Sequence, residues 1–426
     1  MNIYSVCEYL GRRLNTTISC DFYHNIKLWR DWYKGYSREF HHYTDYNGKE
    51  TIEMDRYSLK MAKKVCEDWA NLLFNEKVVV TSSDAKADKI LKNVLGSESF
   101  KLGMNNLVEK SFALGTGAVI LRRKDDRIDF DFVGADSIIP ISFKDGEIDE
   151  VAFASDFYYR GKRYTYLECH LKDDDGNYVI TNEYLDDVFG VADLKTGVLP
   201  KVYTKSAVPW FAIIKPNIVN NLNDATPLGV SVYANAIDVL KGVDLAYDNL
   251  CTDFFLGGKM IMMNECIIAK EEGGRRIPPQ FSRKRLFMSM GDSIIDGKMY
   301  EEYNPALRVD ENTKGIYTQL SLLASLCGLG ENFYKSEFNE IKTATEVISE
   351  NSGLFRCVKK HEIIIRKALV SLSQAVLGIF GIEAEVDVIF DDSIIEDTAS
   401  KRAQDFKDVE AGLMEKDEYI KRYHSQ

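Results

Sequence analysis

The sequence predicts an α+β protein of two or three domains, in which a β-rich region lies between two helical regions. The chain has 426 residues, of which 45% are apolar and 12% are aromatic. A chain of this length and composition buries enough apolar surface to offset its ordering entropy, which excludes disorder as its main state. The spacing of apolar residues changes from a period of 3.6 to a period of two near residue 115, and returns to 3.6 near residue 231.

The first region is predicted to be helical and rich in aromatic residues. Tryptophan and tyrosine recur three or four positions apart over much of 25–46, and 54–74 continues with an apolar face of helical period. A β-like run follows at 77–81. A further helix is predicted at about 99–114, and Gly115 is expected to end it as a C-cap.

The middle region is predicted to be mostly antiparallel β structure. Its segments alternate between apolar and polar residues or are rich in β-branched and aromatic residues, and turn signals separate them. The segments are 118–122, 128–133, 150–158, 164–171 and 178–183, and the turns lie at Asp145-Gly146, Arg160-Gly161-Lys162 and 174–177.

The third region contains the clearest helix of the chain, predicted at 231–254 and ended by Gly257-Gly258. Apolar residues follow one side of this helix at a spacing of three or four. The opposite side carries polar residues, among them Asn235, Asp238, Lys241 and Asp248. The pattern therefore predicts an amphipathic helix with one polar face.

Shorter elements follow this helix. A compact segment, 259–308, contains short strand-like runs, and a second helix is predicted at 312–327. A polar stretch, 331–342, precedes a long helix that begins at Thr343, where Thr343 and Glu346 fit a capping box, and ends near Phe380. The remaining predicted elements are a strand at 385–390 and a charged helical tail at 396–426.

Charge is distributed unevenly along the chain. The chain has 54 basic and 66 acidic residues, a net charge of −12, and 13 acidic against 6 basic residues lie from position 383 onward. Tight binding to DNA through the whole surface is excluded, because it requires a basic footprint. One basic cluster stands out: Arg275, Arg276, Arg283, Lys284 and Arg285. It is interpreted either as a solvated hairpin or as a docking surface for an acidic partner or a phosphate backbone.

The local motifs do not predict catalysis. Gly115-Thr-Gly117 lacks the strand, loop and helix order of a phosphate site. His41 and His42 would point to different sides of a helix, so a surface helix is the preferred interpretation of this pair. The run 173–177 departs from the calcium-loop register and is interpreted as a hairpin turn.

The sequence also lacks the common nucleophile and membrane signals. No Gly-x-Ser-x-Gly elbow occurs, and the eight cysteines form no CxxC pair, so they are expected to be reduced thiols. No signal-type apolar run opens the chain, and the longest apolar stretch, 368–382, contains three polar residues, which favours a buried helix over a membrane span. We therefore expect no enzyme activity, cofactor, metal or membrane partner.

The order of the elements resembles that of the portal proteins of tailed bacteriophages, in the long-tailed subgroup common in prophages of Gram-positive hosts. The resemblance extends over nearly the whole chain. It rests on the joint order of five segments, none of which is diagnostic alone: Trp69–Glu76, Ala135–Pro140, Gly146–Ile148, Pro227–Ser231 and Thr343–Ser349.

The resemblance implies a portal-type fold and a ring, typically of twelve subunits, at one capsid vertex. It implies the following parts: wing 1–228, first stem helix 229–256, clip 257–308, second stem helix 309–330, tunnel loop 331–342, wing helix and strand 343–395, and a short crown 396–426.

The resemblance also implies how these parts would work. The polar face with Asn235, Asp238, Lys241 and Asp248 would line the channel for double-stranded DNA. In the tunnel loop, Asn332, Lys335 and Lys342 would face DNA, and the clip cluster would dock the terminase large subunit and then a head-completion or adaptor protein. Major capsid and scaffolding proteins are further implied partners. The implied location is the virion, with assembly in the host cytoplasm.

Two alternatives remain open at this point. The first is an intracellular enzyme whose active site has no local signature, and the second is a structural scaffold protein without a role in DNA transport. Mass measurement separates them from a portal protein, because neither alternative requires a large ring.

Overall fold

The chain folds into two compact units. The computed structural model describes residues 2–46, 50–75, 77–124, 127–258, 260–263, 270–272, 275–277, 287–289, 300–335, 344–390, 406, 407 and 409. The larger unit comprises Met1–Ser37, Lys60–Ile237 and Leu323–Gln426. The smaller unit comprises Arg38–Leu59 and Asp238–Leu322.

The larger unit begins with helices that bury one apolar face each. They are α1 (Ile3–Leu14), α2 (Tyr23–Tyr33), α4 (Met61–Leu73), α5 (Ala85–Val94) and α6 (Glu98–Leu114), while α3 (Arg38–His41) belongs to the smaller unit. Helix α6 starts at Ser97, whose hydroxyl accepts a hydrogen bond from the Phe100 N–H, and ends at Gly115 with φ of 83°. The predicted helix and its left-handed glycine cap are thus confirmed.

The described strands of the larger unit form three sheets. A five-stranded antiparallel sheet has the order β10-β9-β8-β7-β6, a three-stranded sheet has the order β11-β4-β5, and β3 pairs with β17. The strands are β3 (Val79–Ser82), β4 (Gly117–Lys124), β5 (Arg127–Gly134), β6 (Ile138–Lys144), β7 (Glu147–Tyr159), β8 (Lys162–Lys172), β9 (Tyr178–Leu185), β10 (Lys201–Tyr203), β11 (Phe211–Ile214) and β17 (Val386–Ile389). All five segments predicted for the middle region are strands.

Strand β6 was not predicted from the sequence. It lies at the edge of the five-stranded sheet, where Pro140 is tolerated because no neighbour needs its missing N–H. Two register irregularities around Ser142 interrupt the alternation of side chains that identifies a strand in a sequence. The turn after β6, at Asp145-Gly146, has positive φ at both residues, as the predicted hairpin requires.

The core between the sheets is apolar and aromatic. Ile120, Ile138, Val151, Phe153 and Phe211 are among its buried members. Helix α9 (Ala344–Ile379) packs on β11 and β17. The strand predicted at 385–390 is confirmed as β17, and it pairs with β3. The capping residue Thr343 lies outside the described residues.

The smaller unit contains a helix pair and a hairpin arm. The helices are α7 (Ile237–Leu256) and α8 (Val309–Leu326). The first residue of α7 and the last four residues of α8 belong to the larger unit. The arm consists of α3 and the hairpin of β1 (His42–Tyr46) and β2 (Thr51–Asp55). Short strands connect the helices: β12 (Met260–Met263), β13 (Lys270–Glu272), β14 (Arg275–Ile277), β15 (Phe287–Ser289) and β16 (Tyr300–Tyr303).

The continuous helices predicted at 25–46 and 54–74 are wrong in part. Helix α2 ends at Tyr33, where Gly35 has φ of 78°, and His42–Tyr46 is a strand. Helix α4 begins only at Met61, after Lys60 in the left-handed region. The aromatic spacing is compatible with both structures in so short a run, and the pairing of β1 with β2 decides between them.

Helix α7 begins six residues later than predicted. Residues 231–233 are not helical, because the Phe112 carbonyl accepts hydrogen bonds from the Val232 N–H at 2.9 Å and from the Ser231 hydroxyl at 3.2 Å. The Tyr233 hydroxyl donates to the Trp29 carbonyl at 2.8 Å. These contacts with residues distant in sequence replace the hydrogen bonds of a first helical turn. The second helix, predicted from 312 to 327, is confirmed at both ends to within three residues.

Candidate channel and docking elements

Helices α7 and α8 run antiparallel and approach closely. An added Cβ at Gly242 would lie 2.6 Å from the side-chain amide of Gln319, which places this glycine against α8. Near the other end of α7, Asp253 accepts hydrogen bonds from Arg308 at 2.7 Å and from Asn312 at 2.7 Å. The Arg308 guanidinium and the Asn312 amide lower the pKa of Asp253. This group joins the two helices where they meet the connecting strands.

A buried carboxylate fixes the arm to α7. Asp244 accepts hydrogen bonds from the Leu59 N–H at 2.8 Å and the Ser58 hydroxyl at 3.0 Å, and its other contact is the His41 Nε2 at 3.0 Å. Both Asp244 and His41 are buried. The prediction of a surface helix for His41 is therefore wrong, since its ring closes against α7 rather than facing solvent.

The predicted polar face of α7 has a mixed environment. Asn235 and Asp238 are exposed, and Lys241 forms an ion pair with Asp238 at 2.8 Å. Asn235 contacts Asn221 through their side-chain amides. Asp248, in contrast, accepts a hydrogen bond from the Tyr57 N–H at 2.9 Å and so helps to hold the arm against α7. Among these four residues, Asp238 has the most exposed charge, with 91% of its side chain accessible.

The smaller unit exposes many large apolar side chains. Phe255 is 78% exposed, Leu256 is 59% exposed and Leu245 is 40% exposed. Others, on the helices, on the arm and in the segment just before α8, are Tyr46, Met54, Phe254, Leu307, Val309, Tyr317 and Leu322. Because contiguous apolar surface marks interaction sites, these exposed side chains are candidates for contact with another subunit.

The start of the predicted tunnel loop is held by α4. The Tyr334 hydroxyl donates to Asp68 at 2.8 Å, and the Trp69 indole N–H donates to the Cys327 carbonyl at 3.0 Å. Burial and the Asp68 carboxylate raise the pKa of Tyr334. Asn332 and Lys335 lie in this turn and are exposed, with Lys335 Nζ 3.7 Å from Glu331. Lys342 lies outside the described residues.

Two of the five clip residues can be placed by their backbone. Arg275 and Arg276 lie on β14, opposite Glu272 and Glu271 on β13. Arg283, Lys284 and Arg285 lie outside the described residues.

Titratable clusters and apolar helices bear on the alternative functions. The described residues contain no group of three or more His, Cys, Asp or Glu side chains arranged to hold a metal ion. Within the same residues, every helix is too short or too polar to span a membrane. The buried Glu168 contacts His170 at 2.6 Å; burial opposes its ionisation, but His170 and Arg122 outweigh this and lower the pKa of Glu168 to about 2. This cluster links strands inside the larger unit.

Asp244, Asp68 and Tyr334 were missed by the sequence interpretation. Asp244 lies between Leu240 and Asp248 in a predicted helix that already had several acidic residues, so nothing in the sequence separates it from the exposed ones. A buried carboxylate is recognisable only from its partners, and those of Asp244 lie about 185 to 203 positions away.

These elements define a structural assembly protein, with a helix pair whose apolar surface is left uncovered within one chain. Residues 17–424 match the family described as phage portal protein, SPP1 Gp6-like. The chain therefore belongs to this family of phage portal proteins, and its function is that of a portal protein. The resemblance to portal proteins inferred from the order of elements is thereby confirmed.

Solved structures provide a further comparison. The chain is similar to a protein in the neck of a native GTA particle computed with C12 symmetry, with 12% identity, a TM-score of 0.44 and coverage of 86% of this chain and 89% of that chain. It is also similar to a protein in the virion of a native gene transfer agent particle, with 12% identity, a TM-score of 0.42 and coverage of 84% and 87%. No match was found among curated proteins.

Proposed function

We propose that this portal protein forms a ring of about twelve subunits at a capsid vertex, through which double-stranded DNA enters and leaves. The observation that carries the proposal is the exposed apolar surface of the smaller unit, including Leu245, Phe255 and Leu322. A ring in which each helix pair contacts the next would bury these side chains and gain the associated free energy.

The proposed channel wall is acidic rather than basic. Helix α7 carries Asp238, Asp244, Asp248 and Asp253 but only one lysine, Lys241. Since Asp244, Asp248 and Asp253 accept hydrogen bonds within the unit, Asp238 is the residue proposed to face DNA most directly, with Asn235 and Lys241 beside it. A wall with few phosphate contacts lets DNA slide, because each basic contact to phosphate adds affinity.

The tunnel loop and the clip would supply the contacts that a conduit needs. Lys335 and Lys342, with Asn332, would touch phosphate transiently as DNA passes. Arg275, Arg276, Arg283, Lys284 and Arg285 would dock the terminase large subunit, and afterwards a head-completion or adaptor protein. Major capsid and scaffolding proteins would contact the ring during assembly in the host cytoplasm, and ATP hydrolysis would belong to the motor.

The docking role of the clip is testable by charge reversal. The triple variant Arg275→Glu, Arg276→Glu and Arg283→Glu should still form rings but should lose DNA packaging in an assay with purified capsids and motor. Lys162→Glu, at the exposed first residue of β8 in the larger unit, is the control for a charge reversal elsewhere and should package normally. Normal packaging by the triple variant would remove the clip from the docking proposal.

The loop contacts require a separate experiment. Lys335→Ala with Lys342→Ala should change the packaging rate or the retention of packaged DNA, whereas Lys314→Ala on α8 provides the control. Unchanged rate and retention in the double variant would leave these lysines as ordinary solvated residues.

A further inference from the structure

The chain leaves the core of the larger unit at Gly330, where the proposed tunnel loop begins. Leu329, just before it, is buried, whereas four of the five residues in 331–335 are exposed. Gly330 has φ of 92°, a conformation that favours glycine, and an added Cβ would face open space there. Tyr334 is the one residue of 331–335 that the rest of the unit partly covers. The contacts of Tyr334 therefore bear on where this segment lies.

Two adjacent residues of α4 hold this segment at both ends. The Trp69 indole N–H donates to the Cys327 carbonyl at 3.0 Å, and Asp68 accepts a hydrogen bond from the Tyr334 hydroxyl at 2.8 Å. We refer to residues 327–335 as the loop base and to Asp68 and Trp69 as the clamp. Because Trp69 is fully buried, the first attachment belongs to the core. The second attachment lies where the chain has already emerged from it.

The Asp68 carboxylate is itself held in place. Lys64, one turn earlier on α4, pairs with one of its oxygens, and the Tyr334 hydroxyl bonds to the other. An ionised acceptor strengthens a hydrogen bond. Burial and the Asp68 carboxylate raise the pKa of Tyr334, so its hydroxyl keeps the proton that it donates. The Phe333 ring packs edge-on against the Tyr334 ring, with centroids 5.0 Å apart, and so follows its position.

The backbone hydrogen bonds after Gly330 are local. The Phe333 N–H donates to the Gly330 carbonyl at 3.2 Å, and the Lys335 N–H donates to the Asn332 carbonyl at 3.1 Å. Bonds between residues three positions apart give a turn its shape, but they do not attach the turn to the rest of the unit. The hydrogen bond from Tyr334 to Asp68 supplies such an attachment, because it joins residues 266 positions apart.

We propose that Tyr334 is a positioning residue for DNA transport: its hydrogen bond to Asp68 fixes where Lys335 lies and hence where the loop meets DNA. The inference rests on the proposed function only for the contact of Lys335 with DNA. A loop base that is free to move must be ordered each time the contact forms, and this ordering lowers the affinity for phosphate. The clamp would thus keep the DNA contact preorganised.

The clamp is tested on the full chain by proteolysis. An endoproteinase specific for lysine cleaves after Lys335 only when the loop base opens locally, and cleavage after Lys162 provides the internal reference. Tyr334→Phe keeps the ring and removes the hydroxyl, so it should accelerate cleavage after Lys335 at least about tenfold. Tyr203→Phe, at an exposed position of the larger unit, is the matched control and should leave the rate unchanged. An unchanged rate in Tyr334→Phe would overturn the clamp.

Variants of the acceptor show whether the hydrogen bond itself is responsible. Asp68→Ala should accelerate cleavage after Lys335 as Tyr334→Phe does, whereas Asp68→Asn, which retains an acceptor oxygen, should preserve most of the parent behaviour. Asp68→Ala combined with Tyr334→Phe should cleave no faster than either single variant, because both remove the same bond. Effects that multiply in the double variant would overturn this bond as the positioning contact.

DNA retention in filled capsids tests the role in transport. Tyr334→Phe should form rings of the parent mass and should change DNA retention in the same direction as Lys335→Ala with Lys342→Ala. Normal retention in Tyr334→Phe, with altered retention in the lysine variant, would overturn the inference and leave the proposed function intact. Normal retention in the lysine variant would refute the DNA contact of the proposed function and the transport role of Tyr334, while the cleavage rates would still decide whether the clamp exists.

Discussion

The two units of this chain contrast in how they use apolar side chains. Among the described residues of the smaller unit, only Leu240, Val243 and Leu320 are buried apolar residues, whereas 13 large apolar side chains are exposed. The larger unit has the reverse balance, with a continuous core that includes Trp29, Trp69 and many others. The larger unit can stabilise itself, but the smaller unit is held mainly by polar contacts and leaves its apolar surface uncovered.

This contrast explains why a portal protein would assemble through the helix pair. In the smaller unit, Asp244 and Asp253 each accept several hydrogen bonds, and these bonds hold the donating segments against α7. Such contacts define a geometry but contribute little net free energy, about 1 kcal/mol for a typical hydrogen bond. Burial of Phe255 and its neighbours against another subunit would contribute more of the stabilising free energy.

The largest expected effect is on the core of the larger unit. Trp69 is fully buried, packs against Phe112 and His361, and donates a hydrogen bond to the Cys327 carbonyl. Trp69→Ala should lower the free energy of unfolding by about 3–5 kcal/mol, because it leaves a cavity. Urea denaturation measures this change, with Leu102→Ala on the exposed side of α6 as the control. A loss below about 1 kcal/mol would contradict the assignment of a self-sufficient core.

The next effect concerns the anchor of the arm. Asp244→Ala removes the acceptor of the Leu59 and Ser58 donors, so it should destabilise the smaller unit by about 1–3 kcal/mol. Limited proteolysis should show faster cleavage within 42–58, while Asp238→Ala, at an exposed position of the same helix, should not. An unchanged cleavage rate in Asp244→Ala would show that the arm is held by other contacts.

A pH effect of about 2 kcal/mol is expected in the larger unit. Burial, with a smaller contribution from Lys360, lowers the pKa of His361 from 6.5 to about 3, and its Nδ1 accepts the Asn217 N–H. The unfolded chain therefore takes up a proton as the pH falls below about 6.5, whereas the folded unit does not do so until about pH 3. Stability should fall by about 2 kcal/mol between about pH 7 and pH 5.

The variant His361→Asn keeps an acceptor and removes the titrating ring. It should abolish this part of the pH dependence in thermal unfolding at about pH 7, 6 and 5, whatever its stability at neutral pH. His24→Asn, at an exposed position, should keep the full dependence. The same slope in His361→Asn and the parent chain would assign the pH dependence to other groups.

The smallest effect on folding is expected at the exposed apolar residues of the helix pair. Leu245→Ser with Phe255→Ser should change the free energy of unfolding of a single chain by no more than about 0.5 kcal/mol, because both side chains already face solvent. Denaturation at low protein concentration measures this. A loss of several kcal/mol would mean that these side chains stabilise the isolated chain and are not reserved for a neighbour.

The sequence predicted those elements whose pattern is long or strongly marked by turns. Examples are helices α6 and α8 and the hairpin turns at Gly146 and Gly161. A glycine lies at each of these boundaries in the sequence, and in the structure that glycine has a positive φ. Residues 38–46 and 54–59 were predicted as helix, because the aromatic and apolar spacing there does not separate a helix from the hairpin of β1 and β2, and because the contact of His41 with Asp244 involves residues distant in sequence. Among the candidate channel residues, Asp238 and Asp248 look equivalent in the sequence. They differ only because the Tyr57 N–H reaches Asp248.

The mass of the assembled protein tests the central claim most directly. Mass photometry of the purified chain, over a range of protein and salt concentrations, should show rings of about twelve subunits. Leu245→Ser with Phe255→Ser should yield monomers that remain folded. A parent chain that stays monomeric under every condition, or a variant with the same mass distribution as the parent, would contradict assembly through the exposed face of the helix pair.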